Sequence, residues 1–592
     1  MVPLAGSDFF VSHDLLFWPY RLWELDRCLH SGQVFARWFP DFAWGRGMPF
    51  LNFYAPLFLY IAEGFHLAGL GLLAALKAGI FLILAGSAVG MYALARQDLR
   101  REAALLAGAS YLFGPYLLTV VYLRGGLAEG LAFVWMPLCL LSLRAAVVKG
   151  GGGAIVFGAA SLAALVLTHN ISAMLFAPVA VAYGIVIGWD VRGARRRLAA
   201  CALLGLGLSA FFWVPALAER RFVRMEDVVA DRYQYQQNFA SLSHLWDITG
   251  EVSTPLTEDG VHLTLGGLQI LLALPSLWML ASAGAHRRRI LFFWLLLAAG
   301  LCMTLSLSRP IWAALPPLRY VQFPWRLMGL CTLSLACLAG AGLEAVLAEG
   351  EKWRNFRPLL PLAGVALAAP SLVAWLNKSG TPTTLPLLGL TLALAAALYL
   401  ASQQKVASHL AARGVLSLFC LGLCALFFLG RGERGPLPME LPRSQLTSSG
   451  WLTWERRSGF VGTTIQGEYL PRSASRQPLP PVEQRLRSVS ADGVTVRTIR
   501  SWSTGLKAEV TAHKQEMLVF EQFYFPGWHA WVDDRLVRVG LGSEGLISLS
   551  VPPGRHQVEV RFGPTAVRLW ATLASYLALA AAALLIAGRR RR

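Results

Sequence analysis

The polar residues best suited to chemistry in this 592-residue chain stand at the ends of apolar stretches, not in their middles. Asp14, Arg124, Glu129, His169, Asn170, Arg220, Arg221, Arg319, Gln322 and Arg326 make up this set, with His13 beside Asp14. Arginine dominates it. A guanidinium fork binds phosphate bidentately, so the set suits a lipid-borne substrate whose phosphate lies at headgroup level. An ion-coupled transporter would place carboxylates or broken helices at mid-membrane depth, where this chain has almost no ionisable groups.

Each of these residues also has a purely structural reading. A carboxylate in the first turn of a helix complements the helix dipole, which would account for Asp14. His169 and Asn170 close a tight hairpin and would satisfy backbone groups freed at a helix end. Arg326 would snorkel to the headgroups from the start of its span, and Arg220, Arg221 and Arg224 would form an interfacial collar. Glu468 and Tyr469 would dock one part of the chain onto another. Trp528 and Trp531 would pack in a core, with stacking on a sugar ring as the functional alternative.

The elements that carry these residues follow from composition. Hydrophobic residues make up 55% of the chain and charged residues 15%, with a mean hydropathy of +0.51. A soluble domain would be about one quarter charged. Apolar spans fall near 77–95, 103–121, 128–145, 153–168, 171–189, 198–217, 266–284, 290–308, 323–347, 358–376, 384–402, 413–430 and 566–588. That is about thirteen transmembrane helices.

Lys and Arg collect in alternate loops: Arg96, Arg100 and Arg101; Arg144 and Lys149; Arg192 and Arg195 to Arg197; Arg287 to Arg289. The series continues with Lys352, Arg354 and Arg357, then Lys405 and Arg413, and ends at Arg589 to Arg592. The positive-inside rule places these loops in the cytoplasm and the set around Asp14 outside it. The net charge of +19 is then explained by orientation, and nucleic acid is not expected as a partner.

Residues 1–75 read as an extracytoplasmic first loop. Leu15, Trp18, Leu22, Leu25 and Leu29 fall on one face of a helix over 14–29, with Ser12 as its N-cap and Ser31-Gly32 as its stop. The pattern predicts an amphipathic helix on the membrane surface. Residues 54–70 are apolar but short and are expected to lie along the interface. That placement requires a transmembrane helix before residue 1, as if the start codon had been assigned too late. Residues 431–565 read as a connector followed by strands at Val494–Ile499, Leu506–Ala512, Met517–Tyr524, Ala530–Val539, Leu546–Val551 and Gln557–Phe562, a small β-sandwich. Seven of the eight cysteines lie within apolar spans, and Cys28 has no evident disulfide partner.

Four stretches carry a family resemblance: Ser12-His13-Asp14-Leu15, Pro49 to Leu57, Gln322-Phe323-Pro324-Trp325-Arg326, and Gly467 to Pro471. Pro526-Gly527-Trp528 with Val532-Asp533 adds to them. The chain resembles the GT-C superfamily of membrane glycosyltransferases. More closely, it resembles the bacterial and archaeal membrane family labelled 6-pyruvoyl-tetrahydropterin synthase-related, although no soluble synthase fold or three-histidine zinc spacing is present. The resemblance implies a polyprenyl-phosphate sugar donor and an extracytoplasmic glycan, lipid or protein acceptor. It implies that Asp14 acts as general base or orients the acceptor or a divalent metal. Arg326 or Arg124 would stabilise the leaving phosphate, with His13, His169, Asn170 and Gln322 in the binding site. A paired acidic motif is not evident, because His13 stands where a second carboxylate would.

The expected fold is an α-helical polytopic membrane protein, GT-C-like, with a C-terminal extracytoplasmic β-sandwich. Its divisions are the first loop (1–75), a transmembrane helical domain (76–430), the connector and sandwich (431–565), and a final transmembrane helix with a basic cytoplasmic tail (566–592). The expected setting is the inner (plasma) membrane. A non-enzymatic component, such as a lipid-linked glycan flippase or an assembly factor with a sugar-binding sandwich, is the competing reading.

Overall fold

The computed structural model describes residues 9–10, 12–230, 233–242, 245, 264–281, 284–348, 438–439, 447–464, 467–490 and 494–588. The expected spans at 358–376, 384–402 and 413–430 lie outside the described residues. Among the described residues five helices are long and apolar enough to cross a bilayer: Leu72–Ala95, Leu127–Val148, Asn170–Gly188, Pro324–Leu347 and Ala566–Ala587.

Two further apolar stretches are broken. Arg101–Leu112 meets Pro115–Leu123 at 43°, and Ala194–Leu208 meets Ala210–Phe222 at 69°. Pro115 lacks the N–H that would continue the first helix. In the second, Ser209 Oγ bonds back to the Gly205 carbonyl at 2.9 Å, a contact that bends helices. Counting each bent pair as one span gives seven, so the described residues do not reach the expected thirteen. The expected span at 266–284 is a short helix, Gly267–Ala273, that tightens into a 3-10 stretch over Leu274–Ala281.

Four of the basic loops meet at one end of the bundle. Asp98 accepts from Arg144 at 2.8 Å and from Arg289 at 2.7 Å, Asp190 pairs with Arg288, and Glu344 pairs with Arg100 at 3.0 Å. These four loops therefore share one end of the bundle, and the basic loops at 352–357, 405–413 and 589–592 lie outside the described residues.

At the opposite end stands the first loop. Its helix runs from Phe17 to His30 and stops at Ser31, but it begins later than the pattern suggests. Asp14 precedes it and no acidic residue occupies its first turn, so Asp14 is not a helix-dipole residue. Leu15, Trp18, Leu22 and Leu25 are buried as expected, yet Phe17, Tyr20, Arg21 and Glu24 are buried too. Only the last turn stays polar and exposed, at Arg27 and His30, because the connector helix Ser448–Ser458 packs on the earlier turns: Trp451 lies 4.5 Å from Tyr20 between ring centroids. Residues Leu57–Leu67 form an 11-residue helix, about half the length needed to cross a bilayer.

The C-terminal strands are β1 (Leu486–Ser488), β2 (Val494–Trp502), β3 (Gly505–Ala512), β4 (Glu516–Phe523), β5 (Trp528–Val532), β6 (Arg535–Val537), β7 (Gly540–Leu541), β8 (Leu546–Val551) and β9 (Gly554–Phe562). One antiparallel sheet has the order β1-β4-β8-β7 and the other β2-β3-β9-β5-β6. Leu506, Ala508, Val510, Val558 and Val560 alternate inward and are buried between the sheets. Trp528 is buried, 5.4 Å from Trp38, whereas Trp531 points away from the sheet interior and lies under Arg561 at 5.2 Å.

The sandwich is fastened to the first loop. Trp38 Nε1 donates to Gln522 Oε1 at 2.7 Å, and Arg46 pairs with Glu521 at 2.8 Å. Gly47 sits between them at φ +78°, where a Cβ would lie 2.3 Å from Gln522 Oε1, so only glycine fits. A second junction ties three parts of the chain. Asn52 accepts from Arg37 at 3.0 Å and donates to Glu219 at 2.9 Å, and Glu219 also accepts from Arg568 at 2.9 Å and from Thr565 at 2.7 Å.

Candidate functional site

The site begins at a turn. A π-helical segment, Thr119–Leu123, ends at Arg124 and Gly125. Against it, His13 N–H donates to Leu123 O at 3.1 Å and Asp14 N–H to Arg124 O at 2.9 Å, while Trp18 Nε1 donates to Gly125 O at 2.8 Å. Gly125 has φ +65°, and a Cβ there would stand 2.7 Å from Leu15 N. The residue thus permits both the left-handed turn and the close approach that brings Asp14 to Arg124.

Beneath Asp14 lies a buried ionic cluster. Glu129 Oε2 accepts from Arg124 Nη1 at 2.9 Å, Glu129 Oε1 accepts from Tyr116 Oη at 2.6 Å, and Arg326 Nε lies 3.6 Å from Glu129 Oε2. The guanidinium of Arg124 lies over Trp325 at 4.7 Å, and that of Arg326 over Phe323 at 5.0 Å. Two arginines thus share one carboxylate. Arg326 is further held by Val321 O at 2.8 Å and Gln322 Oε1 at 3.3 Å, but its buried Nε has no hydrogen bond among the described residues.

Gln322 makes this possible through an uncommon backbone conformation, φ +65°, anchored by its side-chain amide donating to Val228 O at 2.6 Å. Left-handed conformations at non-glycine residues cluster at ligand sites, where surrounding contacts hold them in place. His169 caps the helix Asn170–Gly188, its Nδ1 accepting from Ser172 N–H at 3.3 Å. Burial foremost, with Arg326 and Arg124 nearby and Glu129 opposing, lowers its imidazole to about 4, so it is neutral at pH 7. Asn170 donates to Phe53 O at 3.0 Å. Both keep the structural roles foreseen for a hairpin and also face the cavity.

These groups open into one cavity of about 790 Å³. His13, Asp14, Arg124, His169, Asn170, Gln322 and Arg326 all line it, as do Glu129 and Arg220. Arg221 and Arg319 do not; Arg319 donates to Tyr320, which does. Each spanning element that reaches the cavity carries a basic loop or its ion pair at its far end, so the cavity belongs to one end of the bundle.

Sequence reasoning did not place the remaining wall. Glu468 and Tyr469 line the cavity, and Tyr469 stacks on Phe53 at 5.9 Å. Phe460, Thr463 and Thr464 come from the same connector. Arg21, from the first-loop helix, joins them by donating to Thr463 Oγ1 at 3.0 Å, Thr463 O at 2.8 Å and Tyr54 Oη at 3.2 Å. No local pattern marks these contacts, since Arg21 and Thr463 are 442 positions apart. No group of three or more His, Cys, Asp or Glu residues that could hold a metal ion occurs among the described residues.

Several solved structures are similar to this chain. ArnT from Cupriavidus metallidurans bound to undecaprenyl phosphate is 17% identical with a TM-score of 0.42, covering 76% of this chain and 75% of that one. The apo state of the same protein is 16% identical at a TM-score of 0.42, covering 72% of each chain. The Archaeoglobus fulgidus oligosaccharyltransferase in the apo form is 13% identical with a TM-score of 0.40, covering 70% of this chain and 53% of that one. No curated protein matches. The profile of a membrane protein family described as 6-pyruvoyl-tetrahydropterin synthase related matches residues 51–377, more than half of the sequence, and the chain belongs to that family.

Proposed function

We propose that this protein is a GT-C-like glycosyltransferase of the plasma membrane that moves a sugar from a polyprenyl-phosphate donor to an extracytoplasmic acceptor. The observation that carries the reading is Asp14 held by its backbone beside Arg124, above the cluster of Arg124, Arg326 and Glu129, in a cavity at the end of the bundle away from the basic loops.

The cavity also has an apolar side, with Met174, Phe212, Trp213 and Leu217 from the helices Asn170–Gly188 and Ala210–Glu219. A polyprenyl chain would lie there with its phosphate at the arginines. The acceptor hydroxyl would lose its proton to Asp14 as its oxygen bonds to the sugar's anomeric carbon. The bond from that carbon to the phosphate oxygen would break, and polyprenyl phosphate would leave as an anion. Arg326 and Arg124 would compensate its charge from fixed positions. Arg326 suits this role, because it lines the cavity and its bonds to Val321 O and Gln322 Oε1 hold the guanidinium in place.

The test is Asp14→Asn in the full-length protein in membranes, with folding verified by thermal unfolding. Glycan product is expected to fall by at least ~10²-fold. Unchanged product would remove Asp14 from the mechanism. Glycolipid crossing the bilayer at the wild-type rate, with no transfer by the wild-type protein, would favour the flippase reading.

A further inference from the structure

The connector reaches the cavity through a short reversal, 459–464, that follows the helix Ser448–Ser458. Phe460, Thr463 and Thr464 of this reversal line the cavity, and Glu455 in the last turn of the helix does not. The Glu455 carboxylate is buried and gathers backbone N–H groups from two distant segments. Its Oε1 accepts from Ala43 N–H at 3.0 Å and from Gly462 N–H at 2.5 Å, and its Oε2 from Trp44 N–H at 2.6 Å. Ala43 and Trp44 lie more than four hundred positions away, in the first loop.

The backbone around this carboxylate is unusual on both sides. Ala43 and Trp44 are left-handed in succession, at φ +54° and +58°, and Thr463 follows at +59°. Non-glycine residues hold such a backbone where surrounding contacts impose it. Gly462 has φ +55°, and a Cβ there would stand 2.4 Å from Met48 Cε, so the reversal lies directly on the first loop. A carboxylate can serve all three N–H groups because both its oxygens only accept. Next to Gly462, Thr463 takes two hydrogen bonds from Arg21, which also lines the cavity.

Resting on the glycosyltransferase reading above, we infer that Glu455 is a positioning residue for the transfer reaction. It holds the reversal against the first loop, so that Phe460, Thr463 and Thr464 form the cavity wall in the geometry that turnover requires. Arg124 and Arg326, which would hold the donor phosphate, come from the membrane helices and do not depend on it.

Glycan product is measured with the full-length protein in membranes. Tryptic cleavage after Arg456 and Arg457 and undecaprenyl phosphate binding are measured with the same protein in nanodiscs. Glu455→Gln keeps the size but replaces one acceptor oxygen by an amide donor. It should speed cleavage at the two arginines and lower product by up to ~10²-fold, the scale of a small misplacement, with undecaprenyl phosphate bound as in the wild type. Gly462→Ala, whose methyl would push the reversal off Met48, should do the same with the carboxylate intact. Ala43→Gly added to Glu455→Gln should recover part of both effects, because glycine adopts the left-handed backbone unaided; a misfolded variant would not recover. Wild-type product from a connector that is cut faster would overturn the proposal. So would loss of product with the connector still protected, or loss of undecaprenyl phosphate binding in step with product. A wild-type protein that binds undecaprenyl phosphate and makes no product counts against the transferase reading, while cleavage and its recovery still decide whether Glu455 docks the connector.

Discussion

Two buried ionic networks in this molecule use the same residue types to different ends. In one, Glu219 accepts from Arg568, Asn52 and Thr565, and Asn52 also accepts from Arg37. It is closed, and it joins the first loop, a membrane helix and the final helix. In the other, Glu129 is shared by Arg124, Arg326 and Tyr116; it opens on a cavity and leaves Arg326 Nε without a hydrogen bond among the described residues. A network enclosed on all sides fixes structure, whereas one whose arginines line a cavity can also meet an anionic ligand.

The comparison breaks if the two networks respond alike to mutation. Glu219→Gln, which leaves Arg568 and Arg37 buried beside a neutral group, should cost roughly 3–5 kcal/mol of stability, read as thermal unfolding in detergent. Arg326→Gln should cost about 3 kcal/mol of transition-state stabilisation, read as transferase rate, with a much smaller change in unfolding temperature because Glu129 keeps Arg124 and Tyr116. Equal losses of stability in the two variants would erase the distinction. Asn52→Ala should destabilise by about 1–3 kcal/mol, seen in unfolding and in faster proteolysis of the sandwich junction, and should not change the wild-type preference among acceptors. Gly125→Ala should cost about 1–2 kcal/mol from its left-handed backbone; its larger signature is reduced turnover with the donor lipid still bound, because Asp14 is displaced while Arg326 is not.

Asn52 also shows where reading by motif misleads. It lies in the stretch Pro49 to Leu57 that carries the family resemblance, yet its side chain serves the closed network and not the cavity. Asp14 shows the converse. A first-turn position would have explained it structurally, but the helix starts at Phe17 and its backbone pairs with Arg124 instead. The strands were legible because a half-buried strand alternates with period two, and five expected strands coincide with β2, β3, β4, β8 and β9 within a few residues, whereas the expected strand Ala530–Val539 is a hairpin of β5 and β6 that turns at Asp533 and Asp534, both at positive φ. The short β1 and β7 carry too few residues for any alternation to register.

By itself the sequence determined the membrane character of the chain, the alternation of basic loops, the sandwich and the gathering of seven candidate residues at span ends. These are properties of composition and periodicity, written locally along the chain. Only the tertiary structure decided that the connector helix packs on the first-loop helix, that Gly125 docks Asp14, and that the connector supplies Phe460, Thr463, Glu468 and Tyr469 to the same cavity. Those outcomes depend on contacts between residues hundreds of positions apart, such as Arg21 with Thr463. Local pattern carries no information about such pairs, since their geometry is set by how the whole chain packs.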